Sequence, residues 1–152
     1  MNHLHNLWLK SPEERLGLWR KFRISETSSC DDRRTELQHI VNWWAFVPRV
    51  NLAMDPFDET NWPSIWEIIS GGECCKYSLG LALALSVYFI DSDAEVTLAR
   101  ARDRDGSDEY FIAIIDGEYI LNSPYASVAQ VNDIKDKIDI RASWDIEDVY
   151  NT

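Results

Sequence analysis

The longest apolar run of the chain, Leu79 to Ile90, carries no charged residue. It is too short to cross a bilayer and reads as a helix buried within a protein core. A helix apolar all round needs partners on every side. Gly80, Ala82, Ala84 and Ser86 along it are small, which lets those partners come close. The run is opened by two adjacent cysteines in Gly71-Gly72-Glu73-Cys74-Cys75-Lys76-Tyr77-Ser78. A thiol at a helix start lies near unpaired N–H groups and the positive end of the dipole, which lowers its pKa. Cysteine nucleophiles are usually built there. The pair therefore points either to a cysteine enzyme or to a fold that keeps the cysteine without the chemistry.

The chain has 152 residues, 45% hydrophobic and 27% charged, which suits one ordered domain with a substantial core. Its formal charge is −11. No Lys/Arg cluster is large enough for counterion release, so direct nucleic-acid binding is not expected. The acidic residues are spread along every segment, which suits a solvated shell or docking onto a basic partner surface; mimicry of nucleic acid is a further alternative. Seven tryptophans are unusual at this length: core filling accounts for any single one most simply, and so many together also suggest a contact surface.

Cys30, Cys74 and Cys75 do not make a disulfide framework. Vicinal cysteines rarely bridge each other, so a reducing compartment is expected, cytoplasmic or within a virion. Met1 to Lys10 has no signal-peptide core. No membrane segment, metal or cofactor is expected.

Ser11-Pro12-Glu13-Glu14 predicts a helix start, with the helix running to about Phe22 and burying Leu16, Trp19 and Phe22. A second helix is predicted from Asp31 or Asp32 to about Phe46, with Leu37, Ile40, Val41 and Trp44 on one stripe. Residues 47–61 read as a loop pinned by Leu52, Met54 and Phe57. A short helix follows in Trp62-Pro63-Ser64-Ile65-Trp66-Glu67-Ile68-Ile69, with Pro at its start and Gly71-Gly72 at its end. The buried helix is expected from about Cys74 to Phe89. The period then changes. Residues 95–102 alternate, Tyr110 to Ile115 is β-rich, Asp116-Gly117 signals a hairpin turn, and Tyr119 to Leu121 returns. Residues 123–133 read as loop and helical turn, and Ile138 to Trp144 as a last strand. Helices first and strands after give an α+β class, with N-terminal helices packed on a small antiparallel sheet. Within one domain, 1–60 form a helical layer, 61–125 the cysteine-led helix and hairpin, and 126–152 a C-terminal segment.

Two stretches carry a family resemblance over about residues 60–125. Gly72-Glu73-Cys74-Cys75-Lys76-Tyr77-Ser78 resembles the Gly-Asp-Cys-x-x-Tyr-Ala pattern of bacterial transglutaminase-like cysteine proteinases, themselves similar in core to papain-like proteins. Tyr110 to Asn122 resembles that family's hairpin, in which a His heads the first strand and an Asp follows the second. The resemblance implies a transglutaminase-like core with Cys74 as nucleophile and Asn122 in place of the Asp. The His position falls on Asp108 or Glu109. Neither supplies an imidazole base, and both would raise a nearby thiol pKa. His3, His5 and His39 all lie upstream of the segments involved. The Trp-Pro-x-x-Trp-Glu-x-Ile segment also resembles uncharacterised phage proteins.

Asp103 to Glu109 looks like a calcium loop, but its Gly is misplaced and Ile114 stands where the last ligand should be. Residues 133–139 read as a solvated face. The sequence thus predicts a non-catalytic binding or assembly protein, such as a phage head–tail accessory component. It would dock on protein partners, and assemble as an oligomer, through Trp43, Trp44, Trp62 and Trp66. The alternative is a cysteine hydrolase or acyltransferase using Cys74 and Asn122.

Overall fold

A computed structural model describes residues 4–27 and 32–150. Cys30 and His3 lie outside the described residues. The chain runs α1 (Leu4–Leu7), α2 (Pro12–Thr27), α3 (Arg33–Trp44), α4 (Ile65–Gly71) and α5 (Lys76–Ile90). The sheet follows as β1 (Val96–Asp103), β2 (Glu109–Ile115), β3 (Tyr119–Leu121), β4 (Val128–Gln130) and β5 (Ile138–Asp145), with α6 (Val131–Ile134) before β5 and α7 (Ile146–Tyr150) after it. This is the α+β class read from the sequence.

Each predicted helix forms, with shifted ends. Ser11 accepts the Glu14 N–H at 3.2 Å, as its capping role requires. The helix it starts, α2, outruns its predicted end at Phe22, because residues 23–27 hold no Gly or Pro to stop it. Asp32 caps α3 by accepting from Thr35 N at 2.8 Å. In α4 the predicted first turn is corrected: Ser64 is the N-cap, in a capping box with Glu67, so Trp62 and Pro63 precede the helix. Gly72 ends it at φ 73°, a left-handed position that favours glycine.

All five strands are antiparallel, in the order β4-β3-β2-β1-β5. Asp116 (φ 55°) and Gly117 (φ 66°) form the β2–β3 turn, and Ile120 pairs with Ile114 in register. The Val128–Gln130 strand was not expected. Its three residues are too few to show a period of two, and pairing with β3 makes them a strand.

The helix α5 is the hub. Residues on both its sides belong to one buried cluster running from Leu7 to Ile146, which unites all three predicted segments. On its sheet side Gly80 meets the Phe111 backbone so closely that a Cβ there would sit well inside 3.0 Å of the carbonyl. On its other side Trp44 donates its indole N–H to Ser86 Oγ at 3.0 Å, and Ser86 donates to Ala82 O. The opposite face of the sheet has its own smaller core of Ala99, Ala101, Tyr110, Ile112 and Ile120 with Ile134 and Ile138. Of the three predicted pins of the 47–61 loop only Met54 is buried, with Val47 and Pro56 buried beside it in sequence; Leu52 and Phe57 are exposed. Phe57 instead lies under the Arg100 guanidinium, 4.7 Å from its ring centroid.

Candidate functional site

The vicinal cysteines sit differently from their predicted places. Cys74 is not in the helix. It is extended and bridged to Arg49, with its N–H on Pro48 O at 2.9 Å and its carbonyl accepting from Val50 N at 3.0 Å. Cys75 is the N-cap of α5. Its backbone N–H donates to Ser78 Oγ at 2.9 Å, and its sulfur accepts from Ser78 N at 3.4 Å. The thiol therefore does what a Ser or Asp usually does at this position. The helix-start chemistry assigned to Cys74 belongs, by geometry, one residue later. The turn needs an extended residue between Gly72 and the first helical residue, and Cys74 with Glu73 supplies that span.

Both thiols are free and fully buried. Burial pushes Cys74 up to about 12, against smaller opposing effects of the Ser78 hydrogen bond and Arg49. Burial also acts to raise Cys75. There, hydrogen bonds from the Ser78 hydroxyl and from the amides of Ser78, Ala53 and Tyr77 outweigh it and hold the thiol below its ordinary value. The Ala53 amide belongs to the 47–61 loop, which closes over the start of α5.

The structure does bring the sequence-predicted positions together at this helix end. Lys76 Nζ pairs with Asp108 Oδ1 at 2.5 Å. Tyr77 donates its hydroxyl to Glu109 Oε1 at 3.1 Å, and Arg100 Nε lies 3.5 Å from the same oxygen. Burial, then the Glu109 charge, pushes the Tyr77 phenol up to about 12. Asn122, at φ 72°, donates its amide to Lys76 O at 3.1 Å and to Phe111 O at 2.8 Å. It staples the start of α5 to the hairpin and uses both amide hydrogens on backbone. His39 pairs with Glu26 Oε1 at 3.0 Å, in the α2–α3 layer. The group that meets the helix start is thus a carboxylate–phenol–ammonium network.

The calcium-like loop is a tight β1–β2 turn. Asp103 accepts from Tyr110 at 2.6 Å and from Tyr125 at 3.3 Å, and Gly106 takes φ 78°. Among the described residues no group of His, Cys, Asp and Glu could hold a metal ion. Nor is any described helix long and apolar enough to cross a membrane.

The four tryptophans named as contact residues separate into two pairs. Trp43 and Trp44 are 3% and 1% exposed, so their place on a docking surface is corrected. They interlock with Trp8, Trp19 and Phe22, with Trp19–Trp43 ring centroids 5.2 Å apart. Four indoles in one cluster need a two-layer helical wall, which a single-helix stripe does not reveal. Trp62 and Trp66 instead line an open cleft of about 200 Å³ with Phe89, Tyr150, Glu59 and Glu67. Tyr150, which the sequence alone did not single out, also lines this candidate cleft. The Ile146, Val149, Tyr150 spacing of a short amphipathic helix was its signal. No protein-family model matches the chain, and no curated protein matches it.

Proposed function

We propose that this protein is a non-catalytic binding or assembly protein. The observation that carries this reading is the environment of the two thiols: both are sealed from solvent, and carboxylates paired to Lys76, Tyr77 and Arg100 occupy the place of a general base. A thiol needs access and a base or positive site to attack a substrate. The resemblance to transglutaminase-like proteinases then describes ancestry, with Cys74 kept as a buried thiol and Asn122 as a structural tie. The exposed Trp66 and Tyr150 rings, joined by the half-buried Phe89, support docking on a protein partner. The phage-virion setting rests on the Trp62–Ile69 resemblance alone.

Alkylation of the folded protein with iodoacetamide at pH 7, in a Cys30→Ser background, tests the reading. Cys74 and Cys75 should react about 100-fold more slowly than free cysteine, and urea should accelerate them. A thiol that reacts faster than free cysteine in the native state, together with a hydrolysis abolished by its replacement with Ser, would establish the enzyme instead.

A further inference from the structure

We propose that the cleft between α4, the end of α5 and α7 receives an arginine side chain presented by a protein partner. This deepens the binding reading above by naming the chemistry of the partner. The walls are aromatic. Trp66 lies beside Phe89 at a tilt of 42° with ring centroids 5.5 Å apart, and Phe89 meets Tyr150 edge-on at 5.0 Å. Trp66 and Tyr150 are nevertheless 39% and 48% exposed, so substantial ring surface faces the cleft mouth and solvent. Trp62 forms a rigid back wall, held by its indole N–H on Asp55 O at 2.8 Å and by edge contact with Trp144.

Charge selects the occupant. Glu59 and Glu67 line the cleft, and among the described residues no Lys, Arg or His does. Glu67 is held in place by the Ser64 N–H, which it accepts at 3.0 Å, so its negative charge is fixed at the rim. The Arg23 guanidinium already covers part of the Trp66 ring, 5.3 Å from its centroid, so the freer aromatic surface of the cleft is that of Tyr150. A cation between the cleft's aromatic rings and its carboxylates is attracted by both ring quadrupole and charge. A guanidinium fits better than an ammonium, because it is planar, stacks on rings and forks to a carboxylate. The cavity of about 200 Å³ is on the scale of a single large side chain. The −11 net charge steers a basic partner toward it.

The test titrates the 15N-labelled full chain with a Gly/Ser peptide carrying one central arginine, and with the same peptide carrying citrulline, its neutral isostere. The indole N–H signals of Trp62 and Trp66 are followed. Saturable shifts with the arginine peptide, weakened about tenfold by citrulline, are expected. Glu59→Gln should weaken binding at unchanged stability, and Trp66→Leu should weaken it further as read at Trp62. Equal response to citrulline, indifference to Glu59→Gln, or tighter binding of a lysine peptide overturns the proposal. Such a failure with slow-reacting thiols leaves the binding reading in place; fast-reacting, catalytically required thiols remove that reading whatever the peptides do.

Discussion

Arg15 is a buried cation whose hydrogen-bonded partners are backbone carbonyls, and replacing it should be the costliest single polar change in the helical layer. The side chain rises from α2 to the C-terminal end of α4 and is 7% exposed. Nε donates to Ile69 O at 2.8 Å and one terminal nitrogen to Ser70 O at 2.7 Å; the other donates to Lys10 O. Carbonyls in the last turn of a helix have no partner within it, and that end carries the negative pole of the dipole. Arg15 supplies donors and charge together. Arg15→Met keeps the apolar stem and removes all the donors. At about 1 kcal/mol for each bond, the loss is about 3 kcal/mol. For a domain of this size that lowers Tm by about 6–12 °C. Arg15→Lys keeps the charge without the fork and should lose about half as much. Urea unfolding followed by tryptophan fluorescence measures both. A second handle comes from Gly72, where a Cβ would sit 3.0 Å from the guanidinium in addition to suffering its φ of 73°. Gly72→Ala should therefore cost less in the Arg15→Met background than in wild type. An Arg15→Met protein within about 0.5 kcal/mol of wild type, or strict additivity with Gly72→Ala, would refute the reasoning.

Two further outcomes are open to the same assay. Gly80→Ala, which on an exposed helix would stabilise by about 1 kcal/mol, should here destabilise by about 2 kcal/mol or more, because its methyl group drives into the Phe111 backbone and must part α5 from β2; a neutral or stabilised variant would contradict the close approach. Asp91 is held below its ordinary pKa, since the Arg33 hydrogen bond and the amides of Asp93 and Ala94 outweigh the opposing effect of burial. A depressed carboxylate contributes stability that is present above its unfolded value of about 3.9 and is lost as pH falls through the folded value. Asp91→Asn should flatten the acid limb of the stability–pH curve in that window, and an unchanged limb would exclude the linkage.

Much of this fold is written in local signals. The Ser11 and Ser64 caps, the Asp116-Gly117 turn and the alternation of Val96, Leu98, Arg100 and Arg102 each depend on residues a few positions apart. What stayed hidden depends on distant partners. The strand Val128–Gln130 exists because β3 offers it an edge. Trp43 and Trp62 are chemically alike, and only the packing of α2 against α3 buries the first while the irregular stretch before α4 leaves the second half-buried. The cysteine motif marked the right helix end, and the juxtaposition with Asp108, Glu109 and Asn122 followed from the hairpin. The choice between Cys74 and Cys75 as the helix-start residue turned on one residue of backbone path, which a motif does not encode.

The position of α5 between the helical layer and the sheet also governs how the molecule comes apart. Its mantle of Trp44, Leu37 and Ile69 on one side and Phe111, Leu98 and Leu121 on the other belongs to a single cluster. The helical layer and the near face of the sheet close their shared core on this helix, the far face of the sheet keeps only its small separate cluster, and the helix has no polar face with which to survive alone. The N-terminal helices and the later strands are therefore one cooperative unit. Loss of either should release the other in the same transition, and a partner that stiffens the α4–α7 cleft would steady the whole chain.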